Sequence, residues 1–122
     1  LRLEAIQMRL DNQRYAGDIE YKTHIQNIGW ESSYRKNGQM SGTSGRSLRL
    51  EAIQIRLTGE MAKKYDIYYR VHCQEFGWMG WAKNGQSAGS AGYSYRLEGI
   101  QILLVEKGKA APGSTANAFK SR

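Results

Sequence analysis

The chain has 122 residues, a formal net charge of +7 and one cysteine. That size suits one ordinary domain able to bury most of its apolar surface without staples. A single cysteine excludes an intramolecular disulfide and a cysteine-based metal site, and no stretch reaches the ~18 apolar residues that a membrane-spanning helix needs. No signal peptide is visible, an absence of little weight because the chain opens inside a repeat.

The opening Leu-Arg-Leu-Glu-Ala-Ile-Gln, Leu1–Gln7, returns at Leu48–Gln54 and, as Tyr-Arg-Leu-Glu-Gly-Ile-Gln, at Tyr95–Gln101. The period is about 47 residues, so the chain reads as copies of one unit. In these segments Leu48 and Leu50 share one parity while Ile53, Ile55 and Leu57 take the other. Either a bulge near Ala52 flips the strand face, or Leu50, Ile53 and Leu57 mark a short helix. The alternation through residues 53–57 and the glycine-rich turns before it favour the bulged strand.

A second block recurs in step, Asp18–Trp30 against Asp66–Trp78. Residues 19–25 alternate strictly, which predicts a half-buried strand with Ile19, Tyr21, Thr23 and Ile25 inward and Glu20, Lys22, His24 and Gln26 outward. Its counterpart points Ile67, Tyr69, Val71 and Cys73 inward, and Tyr68, Arg70, His72 and Gln74 outward. Cys73 there reads as a small core residue. Next come Asn37-Gly38-Gln39 and Asn84-Gly85-Gln86, where both Asn and Gly accept the positive φ of a type I′ hairpin. Glycine-rich stretches follow at 41–45 and 88–92. From Lys107 the patterning stops, and 107–122 reads as a linker or disordered tail.

The predicted organisation is a repeat domain over 1–106, with a partial repeat at 1–17, full repeats at 18–65 and 66–106, and the tail. The predicted fold is all-β: short antiparallel strands and tight turns, with pseudo-threefold closure, β-prism or trefoil-like, removing exposed edges, and an open array that stacks in longer parents as the alternative.

The positive charge invites a nucleic-acid reading. The basic residues, however, sit singly inside strand-like segments. The only adjacent pairs are Arg35-Lys36 and Lys63-Lys64, and no run of five exists, which argues against it. An anionic wall polymer such as teichoic acid would use the same charge with less demand for geometry.

The order Tyr21-Lys22-Thr23-His24-Ile25-Gln26-Asn27-Ile28-Gly29-Trp30, Asn37-Gly38-Gln39, Gly42-Thr43-Ser44-Gly45 and Arg49-Leu50-Glu51-Ala52-Ile53-Gln54-Ile55 resembles the clostridial hydrophobic repeat named for its tryptophan, ChW. Two nearly complete copies and one partial copy carry the resemblance. The second departs modestly: Ser90-Ala91 for Thr43-Ser44, Gly99 for Ala52, and one residue fewer between Trp78 and Asn84. The resemblance implies an exported or surface protein of a Gram-positive bacterium, hence an extracellular or cell-surface location. It also implies attachment to polysaccharide, to the wall or to other proteins.

Trp30 and Trp78 recur identically, which suits packing; Tyr34 and Trp81 differ between copies and lie in connecting loops, which makes them the predicted stacking surface for a sugar. His24 with Gln26, and His72 with Gln74, could hydrogen-bond a hydroxyl or pair across the sheet, and the second reading is preferred. Asn37, Gln39, Asn84 and Gln86 are turn formers whose amides would suit sugar hydroxyls. Glu4, Glu51 and Glu98 recur once per unit. A glycosidase needs two carboxyls about 5 to 10 Å apart in one cleft, so recurrence points instead to an ion pair or a bond to turn N–H groups. No nucleophile-elbow, P-loop or zinc-protease motif occurs, and two histidines with one cysteine make no metal-site spacing. The expectation is a non-catalytic module without cofactor or metal that binds a glycan or cell-wall polymer. The alternative is a structural or adhesive module that binds protein or itself.

Overall fold

The computed structural model describes residues 3–122, so Leu1 and Arg2 of the leading segment lie outside the described residues. The short β1 (Ala5–Ile6) precedes a first set of strands, β2 (Ile19–Ile25), β3 (Gly29–Trp30), β4 (Arg35–Lys36) and β5 (Ser41–Gly42). Then β6 (Leu50–Leu57) and the six-residue α1 (Gly59–Lys64) lead into a second set. That set comprises β7 (Tyr65–Cys73), β8 (Gly77–Trp78), β9 (Ala82–Lys83) and β10 (Ser87–Ala91), followed by β11 (Leu97–Glu106) and β12 (Phe119–Ser121).

The inward halves of both strands are as read, and the one departure lies on the outward face, where Tyr68 is buried rather than exposed. Ile19, Tyr21, Thr23 and Ile25 are all buried, as are Ile67, Tyr69, Val71 and Cys73, because successive side chains of a strand point to opposite faces. The Cys73 thiol lies 3.5 Å from Ser90 Oγ, and burial pushes its pKa up. The bulge is present one residue earlier than predicted. β6 pairs antiparallel with β2, with His24 opposite Ala52 but Ile25 opposite Leu50, so Glu51 is the extra residue. β11 repeats this on β7, where Glu98 is extra. One inserted residue lets Leu50 and Ile53 both reach the core and turns the glutamate toward the outer face. The short-helix alternative does not form.

Both Asn-Gly pairs are left-handed, with φ of 46° and 89° at Asn37 and Gly38 and 49° and 88° at Asn84 and Gly85, as type I′ turns demand. Gln39 N–H donates to the Lys36 carbonyl and Gln86 N–H to the Lys83 carbonyl, each at 3.1 Å. The buried Tyr21 and Tyr69 hydroxyls donate to the carbonyls of Gln39 and Gln86, tying each hairpin to its long strand.

One sheet runs β12-β10-β6-β2-β3 with β4 also on β2; a second runs β11-β7-β8 with β9 also on β7; β1 and β5 form a small ribbon. They enclose one apolar core that includes Tyr21, Leu50, Ile53, Ile55, Tyr69 and Leu97. The leading segments meet there: Leu50 N–H donates to the Leu3 carbonyl at 2.9 Å and Leu3 N–H to the Leu97 carbonyl at 3.1 Å. Among the described residues these sheets form no closed barrel.

Residues 107–122 correct the linker reading, because they fold back onto the domain. β12 pairs parallel with β10, Gly89 N–H donates to the Ala118 carbonyl at 2.9 Å, and Trp81 N–H donates to the Ser114 carbonyl at 2.9 Å. The approach is close: a Cβ on Gly80 would stand 2.1 Å from the Ala116 carbonyl oxygen. The segment supplies main-chain groups to an edge strand, a role that needs no hydrophobic pattern.

Asp66 fastens the start of this return. Its carboxylate accepts from Lys107 Nζ at 2.9 Å, Asn84 Nδ2 at 2.8 Å and Gly108 N–H at 3.1 Å. The Lys107 hydrogen bond, then the Asn84 bond, lowers its pKa from 3.8 to about 2. A folded value below the unfolded one means that the unfolded chain binds the proton more readily. The stabilisation is therefore present above about pH 4 and lost as pH falls toward 2. Lys107 is half-exposed, so screening limits the pair to about 0.5–1 kcal/mol. Lys107→Met is expected to lower the melting temperature at pH 7, with the gap to the parent narrowing below about pH 4 and closing only as the pH reaches about 2. A constant gap across that range would overturn the assignment.

Candidate functional site

The bulges build the same constellation twice. In the first unit His24 Nδ1 lies 2.9 Å from Glu51 Oε1, Arg49 Nε donates to Glu51 Oε2 at 2.9 Å, and the His24 ring meets Trp30 edge-on at 5.4 Å and 85°. In the second, His72 Nδ1 lies 3.2 Å from Glu98 Oε1, Arg96 Nη2 lies 3.0 Å from Glu98 Oε2, and His72 meets Trp78 at 5.3 Å and 85°. The recurring glutamates thus form ion pairs, as their recurrence suggested for Glu51 and Glu98. Each histidine pairs across strands with a glutamate and holds an indole on the outer face.

The amides are committed to the fold. Arg49 N–H donates to Gln26 Oε1 at 3.1 Å and Arg96 N–H to Gln74 Oε1 at 3.3 Å, closing the backbone ahead of each bulge. Asn37 Oδ1 accepts from Ile19 N–H at 3.3 Å, and Asn84 Oδ1 accepts from Ile67 N–H at 3.0 Å. Gln39 and Gln86 accept from Lys36 and Lys83 N–H. Tyr34 stacks under the Arg56 guanidinium, 3.7 Å from its ring centre, with Lys22 Nζ at 5.0 Å, and its hydroxyl donates to Gln54 Oε1 at 3.3 Å.

In the second unit the loop tryptophan and the strand tryptophan exchange the predicted roles. Trp81, predicted as an exposed platform, is only 7% exposed because residues 113–116 lie across its loop. Trp78, predicted as a packing residue, is 44% exposed, whereas Trp30 is half-buried. Arg70 stands between the second unit's tryptophans, 4.9 Å from the Trp78 ring and 5.0 Å from Trp81, with Nε donating to Gln101 Oε1 at 2.7 Å. This props one side of the indole while leaving much of the ring in solvent.

Beside Trp78 runs a groove of about 220 Å³ bordered by Phe76, Met79, Asn117 and Lys120. Phe76 belongs to an aromatic cluster with Tyr93 and Tyr95, at centroid distances of 5.1 and 5.2 Å, and Lys120 Nζ lies 4.7 Å over its ring. Sequence reasoning missed Phe76, Asn117 and Lys120. The signal for Phe76 was the departure between copies, aromatic where the first unit has Ile28; Asn117 and Lys120 come from the returning segment and carried none.

No group of three or more metal-ligating side chains occurs among the described residues, and none of the described helices is long and apolar enough to cross a membrane. Fold and site together define a repeated β-unit that presents a histidine-braced tryptophan on its outer face. The family model described as Clostridial hydrophobic W matches residues 24–59 and 72–106, more than half of the chain, and the chain belongs to that family. No curated protein and no solved structure matches it.

Proposed function

We propose that the protein is a non-catalytic module of a secreted or cell-surface protein that holds a glycan or cell-wall polymer against Trp78. The observation that carries this reading is an indole 44% exposed, braced by His72 and Arg70 and flanked by a groove. A sugar's apolar face stacks on the open indole, while the Asn117 amide and Lys120 ammonium lie where they can meet hydroxyl or acidic substituents. The first unit is the weaker copy: Trp30 is less open, and His24 is 18% exposed against 38% for His72. Glu51 and Glu98, each engaged by a histidine and an arginine, support a structural rather than a catalytic use of the carboxylates.

Purified protein titrated with wall polysaccharides at low and physiological salt tests the reading. Trp78→Ala is expected to weaken binding at least tenfold, ~1.4 kcal/mol, at both salt concentrations, and Trp30→Ala by less. Binding that salt abolishes and Trp78→Ala leaves intact would mean simple polycation adhesion. Antibody labelling of intact cells tests the surface location.

A second reading, a module joining protein surfaces, has its own observation in the exposed Leu103 and Leu104 on β11. Self-association without polysaccharide binding would favour it.

A further inference from the structure

The three leading strands carry equivalent apolar residues but have unequal neighbours. β6 is bordered on both edges, by β2 and by β10. β1 pairs only with β5, in the register that β6 uses with β10: Ala5 faces Gly42 as Ala52 faces Gly89. β11 pairs only with β7. Among the described residues β1 therefore lacks a neighbour of the β2 and β7 kind, and β11 lacks one of the β5 and β10 kind.

Burial follows the neighbours rather than the residues. Ile53, Ile55 and Leu57 in β6 are all buried, whereas Ile6, Met8 and Leu10 beside the first copy, and Ile100 and Ile102 in the third, are only partly so. Leu57 is 8% exposed and its counterpart Leu104 is 43% exposed. The two incomplete edges also open on the same side of the molecule. Leu10 and Leu104 line one cavity of about 280 Å³, floored by Met61 and Tyr65. In both completed pairs a glycine sits where the backbones touch. A Cβ would stand 2.4 Å from the Glu4 carbonyl oxygen at Gly42 and 2.5 Å from the Glu51 carbonyl oxygen at Gly89.

We infer that the free edges of β1 and β11 form one docking seat for a further copy of the half-unit spanning residues 18–47, joined ahead of β1. Its long strand pairs with β1 as β2 pairs with β6. Its glycine strand pairs with Gly99–Gln101 of β11 as β10 pairs with Ala52–Gln54. The order is the one this chain already uses, since each half-unit runs directly into a leading strand: β5 into β6, and β10 into β11. A single half-unit satisfies both edges and covers Leu104, which neither edge achieves alone.

The test compares the 122-residue chain with the same chain carrying a copy of residues 18–47 fused ahead of Leu1. Amide hydrogen exchange is read on the β11 edge that faces away from β7, and the oligomeric state is measured for both. The fusion is expected to stay monomeric, to slow exchange along Gly99–Leu104 by about 100-fold or more and to raise the melting temperature. Gly42→Val in the added copy alone is expected to cancel the gain, while the original domain still folds. Unchanged exchange on β11 in the fusion would overturn the proposal. So would protection of that edge in the unfused chain through dimerisation, because a second molecule would then be the occupant.

Discussion

Glu31→Met alone is expected to destabilise the protein by about 3 kcal/mol in urea unfolding, and adding Thr23→Val and Ser41→Ala is expected to return roughly half of that. Glu31 is buried beneath the first hairpin. Its carboxylate accepts from Ser41 Oγ, from Thr23 N–H at 3.1 Å and from Gly42 N–H at 3.2 Å, with Arg35 Nη2 at 3.5 Å. Removing it leaves several donors without their acceptor, each worth about 1–3 kcal/mol when buried. The second unit shows the same space filled without polarity, because Val71, Met79 and Ala88 stand where the first unit has Thr23, Glu31 and Ser41. All three are buried. The triple variant imports that solution, volume for volume, but the backbone N–H groups of residues 23 and 42 both lose the carboxylate. Gly89 N–H, the counterpart of Gly42 N–H, is satisfied by the Ala118 carbonyl at 2.9 Å. The first unit has no such strand, so Gly42 N–H stays unpaired and recovery stops short. A triple variant no more stable than Glu31→Met would show that the cluster is not one interchangeable unit.

Deleting residues 112–122 is expected to have the larger effect of the two, about 3–4 kcal/mol, through uncovered apolar area at Trp81 and a lost edge strand. The truncated chain loses β12, frees Gly89 N–H and strips the Ser114 carbonyl from Trp81 N–H. Tryptophan emission should shift to the red and the melting temperature should fall. Emission and melting unchanged by the deletion would restore the reading of this segment as a linker. The truncation also removes Asn117 and Lys120 from the groove, so polysaccharide binding should weaken even where the shortened chain remains folded.

The legible parts of the molecule are those whose cause lies within a few residues of the effect. Strict alternation placed Ile19–Ile25 and its copy on the core, since pleating alone sets which face a side chain takes. Asn-Gly set the hairpins because both residues tolerate positive φ. The parity change between Leu50 and Ile53 located the bulge, and the recurrence of Glu51 and Glu98 after Arg-Leu pointed to their ion pairs. The tryptophans were not legible in this way. An exposed Trp78 and a buried Trp81 sit three residues apart on similar local sequence, and nothing nearby distinguishes them.

By itself, the sequence determined the repeat, the strand faces, the turns, the bulged ladder and membership of the ChW family. The tertiary structure alone decided which indole meets solvent, which edges stay open and where the C-terminal segment goes. The physical reason is range. Strand phase and turn type are set by main-chain sterics over two to four residues. Exposure and edge pairing depend on what arrives from elsewhere in the chain, here a glycine- and alanine-rich strand and a segment with no pattern of its own.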